Sequence, residues 1–186
     1  MLVVIFVSDE LDCSYAPAHG DIFTAANDTF WLDPNVGPRS GICWEAGSVC
    51  TGDGAPYDAC VPANYGANGE IDVSDDAAVL QPLSRYVADL DPARSMAFGL
   101  VGVPSGYAEG SEPLTYWAPE DDQQASQFGV DWSCADAEGG HEALPPLRLR
   151  EVVESTTAAP SLFSICDSSY ETTMATIRDR ILARLP

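Results

Sequence analysis

Lysine is absent from the chain, and the eight basic residues set against 29 acids are all arginine. A net charge of −21 repels phosphate backbones, so nucleic acid is not an expected partner. Long apolar runs are missing too. The longest, Met1 to Val7, falls far short of the roughly 20 residues a helix needs to cross a bilayer, so no membrane span is expected. It does not read as an export signal either, because a basic leader is lacking and no small-residue cleavage site precedes Asp9-Glu10-Leu11-Asp12. There is no Cys-x-x-Cys pair, and His19 and His141 lie in loop-like sequence away from ligand spacing. Zinc is therefore a poor explanation for the cysteines. A Gly-x-Ser-x-Gly elbow, a glycine-rich phosphate loop and a His-Glu-x-x-His helix are all absent, so no catalytic residue is assigned.

What is present reads as one α/β domain over residues 1–186. Val3-Val4-Ile5-Phe6-Val7 has the continuous apolar character of a buried parallel strand, and it delivers Asp9 to the loop beyond its C-terminal end. A sheet normally places such a strand centrally, so earlier strands are expected beside it, in a missing N-terminal half of the same domain. Pro82 opens a helix with Leu83, Tyr86, Val87 and Leu90 on one face, and Met96 to Val103 forms a second strand. Pro145-Pro146 introduces a helix carrying Leu149, Val152 and Val153. Ser161 to Cys166 makes a third strand. A last helix from about Tyr170 to Leu185 is expected to bury Met174, Ile177, Ile181 and Leu185, with cap candidates in Asp167 to Ser169. Strands alternating with helices in this order predict a parallel, Rossmann-like, three-layer sheet.

Two long insertions interrupt it. Residues 13–79 are crowded with turn signals such as Asp33-Pro34-Asn35, Gly52-Asp53-Gly54 and Asn68-Gly69, and residues 105–146 form a second, acidic loop. Four of the six cysteines, Cys13, Cys43, Cys50 and Cys60, fall in or at the start of the first insertion, which needs cross-linking to hold shape. We expect all six to be paired in an oxidising, extracytoplasmic compartment. Cys166 ends the third strand and Cys134 lies in the loop after the second, so both belong on the C-terminal rim and are expected to bridge. The other four make two more bridges. Trp31, Trp44, Trp117 and Trp132 are expected chiefly to fill small cores beneath the stapled loops.

Several segments together resemble one family. Val3 to Ser14, Leu83-Ser84-Arg85-Tyr86-Val87, Phe98 to Pro104, Leu147-Arg148-Leu149-Arg150 and Ser164-Ile165-Cys166-Asp167 are similar to the C-terminal half of a von Willebrand factor A-type domain, in the cysteine-rich variety of bacterial secreted or surface lipoproteins. The resemblance implies a metal ion-dependent adhesion site built from three loops, and Asp9 matches one of its ligands. The Asp-x-Ser-x-Ser loop of the family is not present. Asp72-Val73-Ser74-Asp75-Asp76 is a partial look-alike read as a solvated turn. Mg²⁺ or Ca²⁺ is thus a possible cofactor of the complete domain, with weak or no specific binding by these residues alone, because both ions need more oxygens than one acidic loop offers.

The function that follows from the resemblance is an extracytoplasmic adhesion module engaging a protein or cell-surface ligand at the C-terminal rim of the sheet. The alternative is a secreted carbohydrate-active hydrolase with its site among the acidic tryptophan-bearing loops, where pairs such as Asp121-Asp122 would have to face each other across a cleft.

Overall fold

The computed structural model describes residues 1–24, 26–31 and 39–185. The Asp33-Pro34-Asn35 turn lies outside the described residues. The chain is mixed α/β around a parallel three-stranded sheet. Its strands are β1 (Leu2–Ser8), β4 (Ser95–Val101) and β7 (Leu162–Ser164), side by side in that order. Between them run α2 (Leu83–Asp89) and α4 (Leu147–Thr156), and α5 (Glu171–Arg184) follows β7. These elements lie where the apolar periodicity places them.

The central strand β4 is buried along its whole length, as a parallel strand covered on both faces must be. Ala97 and Val101 point toward Val152 and Val153 of α4, whereas Met96, Phe98 and Leu100 point toward Ile177 of α5. Phe98 and Val101 are fully inaccessible. Each such side chain contributes roughly 1.5–3 kcal/mol of burial. Gly99 lets β7 come close, since a Cβ there would stand 2.6 Å from Leu162 Cδ2.

One expectation needs correction. Among the described residues β1 lies at the edge of the sheet, and the earlier strands expected beside it in a complete domain are not among those residues. Val4 and Phe6 pack with the α2 and α4 side chains, and Val3 packs with α5, but Ile5 is 43% and Val7 64% exposed because no element covers that end of the α5 face. For the same reason α5 buries Ile177 and much of Ile181, while Met174 and Leu185 are 42% and 50% exposed. Its N-cap is Tyr170, which makes no side-chain cap bond, although Ser169 Oγ accepts from the Glu171 N–H at 3.4 Å.

The insertions contain regular structure that their turn-rich sequence hides. The first holds α1 (Gly41–Glu45) and the hairpin β2 (Ser48–Thr51) with β3 (Ala59–Pro62); the second holds α3 (Asp122–Phe128) and the hairpin β5 (Cys134–Ala135) with β6 (Glu142–Ala143). The disulfides are Cys13–Cys43, Cys50–Cys60 and Cys134–Cys166. The rim bridge is therefore as expected, and all six cysteines are paired, as in an oxidising environment outside the cytoplasm. The first insertion has a core in which Ile22, Phe30 and Val79 cluster with Trp31, and a second core joins the two insertions, Trp44 of the first packing with Tyr116, Val130 and Trp132 of the second. Trp117 is the exception, at 43% exposure. No helix among the described residues is long and apolar enough to cross a membrane.

Candidate functional site at the strand ends

The C-terminal ends of β1 and β7 open into a trough of about 830 Å³. Its floor begins at Asp9, one residue past β1, where the backbone carbonyl accepts the Leu144 N–H at 2.9 Å and so ties the end of β6 to the rim. The β5–β6 hairpin lies directly on the end of β4. A Cβ at Gly102 would stand 2.1 Å from the Leu144 carbonyl oxygen, so glycine is required for that approach. Ser133 Oγ donates to the Gly102 carbonyl at 2.6 Å and reinforces the contact.

The hairpin tip, residues 136–141, forms one wall. Asp136 accepts N–H bonds from Gly140 at 2.8 Å and Glu138 at 3.2 Å, and Gly139 takes the positive φ of 67° that the tight tip needs. The Gly140 N–H is the main reason the Asp136 carboxyl is held below its usual range. The opposite wall is residues 165–170, fixed to the hairpin by Cys134–Cys166 and internally by the Tyr170 hydroxyl, which donates to the Ile165 carbonyl at 2.6 Å. Trp132, packed against Phe128 with ring centroids 4.7 Å apart and planes tilted by 55°, closes one end.

Five carboxylates line this trough: Asp9, Asp136, Glu138, Glu142 and Asp167. His141 is the one imidazole on it. The sequence places Asp9 at the rim and the structure agrees. The hairpin that gathers four of the remaining groups was not legible, because two-residue strands leave no alternation to read. Glu10 stands beside Asp9 with its carboxyl raised, by partial burial first and the Asp9 charge second.

Other sequence candidates are used structurally. Asp12 does not face water. It accepts from Arg148 Nε at 3.0 Å, and the two side chains are 12% and 5% exposed, with Arg148 Nη2 donating on to the Gln81 carbonyl at 2.5 Å. That pair fixes α4 to the loop after β1. Asp72 sits at a φ of 60°, and Asp75 accepts from Asn64 Nδ2 at 3.0 Å and from the Ser84 hydroxyl, so the look-alike turn is tied to the start of α2 beside a separate cavity. Asp121 caps α3 by accepting from the Gln124 N–H at 2.7 Å. His19 lies in the 3-10 stretch Pro17–Phe23.

A divalent ion would need several oxygens converging on Asp9. Among the described residues no group of three or more His, Cys, Asp or Glu side chains is arranged to hold a metal. The resemblance implies hydroxyl as well as carboxylate ligands, and of these Asp9 alone has a counterpart in this sequence. Comparison with protein-family models, with curated proteins and with solved structures returned no match, so the chemistry of the rim is read from its own residues.

Proposed function

We propose that the chain is a non-catalytic extracytoplasmic binding module, similar to a von Willebrand factor A-type domain, whose strand-end rim engages a protein or cell-surface ligand. The observation that carries this reading is the acid-lined trough at the carboxyl ends of β1 and β7. Crevices beyond the strand ends are where open α/β sheets bind. Five carboxylates with Trp132 and Tyr170 beside them suit a basic segment of a partner, through charge and through the aromatic faces. Three disulfides fit a secreted, periplasmic or surface-lipoprotein setting.

Hydrolysis of a sugar would need one carboxyl held protonated opposite an ionised partner. Asp136 fits only the ionised half of such a pair, and Glu10, the carboxyl raised by partial burial, does not line the trough. The test is a titration followed by Trp132 fluorescence, with an arginine-rich decapeptide as the basic probe and a glutamate-rich one as control. The wild-type chain should bind the basic peptide alone, and Asp136→Asn with Asp167→Asn should weaken binding at least ~10-fold, about 1.4 kcal/mol. Failure of the wild type to bind, or an unchanged affinity in the double variant, overturns the reading. Turnover of a glycoside by the wild type, lost in that variant, would move it to the hydrolase.

A further inference from the structure

A cavity of about 570 Å³ lies between the first insertion and the helices, and none of its lining belongs to β1 or to the strand-end trough. Its walls are the end of β3, the turn around Asp75, the start of α2 and the start of α4. The bonds that hold these walls are already made. Asp75 uses one carboxylate oxygen to accept from Asn64 Nδ2 and the other to accept from the Ser84 hydroxyl, and the Val73 N–H donates to the Asn64 carbonyl at 3.3 Å. A site formed before its ligand arrives loses little to ordering when it binds.

Asp72 and Glu151 also line the cavity, and among the described residues neither carboxylate accepts a side-chain hydrogen bond or pairs with an arginine. Two exposed acids alone would not define a ligand. Arg148, one turn before Glu151 on α4, supplies the second group. It is 5% exposed, with Nε bonded to Asp12 and Nη2 to the Gln81 carbonyl, and Nη1 has no acceptor among the described residues. No buried side-chain nitrogen or oxygen lacks a partner, so Nη1 reaches open space, and Arg148 lines this cavity. A guanidinium N–H donates and never accepts, so it calls for an oxygen. Asp12 already balances the Arg148 charge, so a carboxylate brought here would meet Asp72, Asp75 and Glu151 without compensation. A neutral carbonyl is the acceptor that fits, and the two free acids call for a cation beside it.

We propose that this cavity binds the N-terminal residue of a peptide, its ammonium held by Asp72 and Glu151, its first carbonyl accepting from Arg148 Nη1 and its side chain lying on Val61, Pro62 and Leu83. Val61 is apolar and 54% exposed, and such a side chain would cover it.

Calorimetric titration with leucinamide at about pH 6.5, where an α-amino group is protonated, tests this. One-to-one binding is expected. N-acetyl-leucinamide lacks the charge, isoamylamine lacks the carbonyl and free leucine adds a carboxylate, and each should bind at least ~10-fold more weakly. Asp72→Asn with Glu151→Gln should weaken leucinamide binding at least ~10-fold at an unchanged melting temperature, since both side chains are exposed and asparagine accepts the φ of 60° at position 72. Asp136→Asn with Asp167→Asn should leave it unchanged, which separates this cavity from the trough. No binding of leucinamide overturns the inference, as does an affinity indifferent to Asp72 and Glu151 or lost with the trough acids. Equal affinity for isoamylamine or for free leucine overturns it also, the first by removing the Arg148 contact and the second by removing the preference for a peptide.

Discussion

The two edges of the parallel sheet are built on opposite principles. β7 is three residues long and wholly buried, with Cys166 just beyond it bridged to Cys134 and Ser164 Oγ directed at the Cys134 sulfur at 3.7 Å. β1 is seven residues long, apolar throughout until Ser8, and has Ile5 and Val7 in solvent. One edge is thus protected by brevity, cover and a cross-link, and the other by none of these. The −21 charge of the whole chain takes the place of local charges on β1, since copies repel at a distance although the strand itself is bare.

The sharpest way to break the comparison is to truncate one apolar side chain on each edge to alanine. Phe163→Ala on β7 should lower stability by about 3–5 kcal/mol, while Val7→Ala on β1 should stay within about 0.5 kcal/mol, both read from urea unfolding of the monomer. Equal costs would mean that β1 is covered after all. Next in size is the cross-link. Replacing Cys134 and Cys166 together by serine opens a bridge of sequence separation 32 and should cost roughly 2–4 kcal/mol. Gly102→Ala should follow, at about 1–3 kcal/mol, because the new methyl meets the Leu144 backbone rather than a movable side chain. It should also weaken basic-peptide binding by displacing a trough wall.

Most of the sheet was legible in the sequence because its signal is periodic. β4 reads as an unbroken apolar run and α2, α4 and α5 as spaced stripes, and each lies within a residue or two of its expected place. Burial was less legible. Val3 to Val7 has the composition of a strand covered on both sides, yet composition cannot report whether a neighbour is present, and Met174 and Leu185 misled for the same reason. The insertions were opaque because their order comes from cross-links and short hairpins, in segments too brief for a period to form. Arg148 shows the limit clearly. Its partner, Asp12, stands 136 residues earlier, and no local pattern joins them.

The smallest effect expected is on pH dependence. Burial raises the Glu45 carboxyl, so the native state takes up that proton more readily than the unfolded chain, and its contribution grows as pH falls toward and below the raised value. Glu70 and Asp136 are lowered, chiefly by bonds from Asn68 and from Gly140, and their contributions are lost as pH falls through their depressed values. Stability should therefore rise as pH falls from neutrality toward the raised Glu45 value and decline once Glu70 and Asp136 take up protons. Thermal melts across pH check this, and a maximum above neutrality would contradict it.

The central claim is that β1 is an open edge with a fixed alternation, and amide hydrogen exchange resolved residue by residue in the dilute, low-salt monomer tests it most directly. The account predicts slow exchange at Val4, Phe6 and Ser8, whose N–H groups face β4, and fast exchange at Val3, Ile5 and Val7, whose N–H groups point away from it. Uniform protection along β1 in the monomer would contradict it.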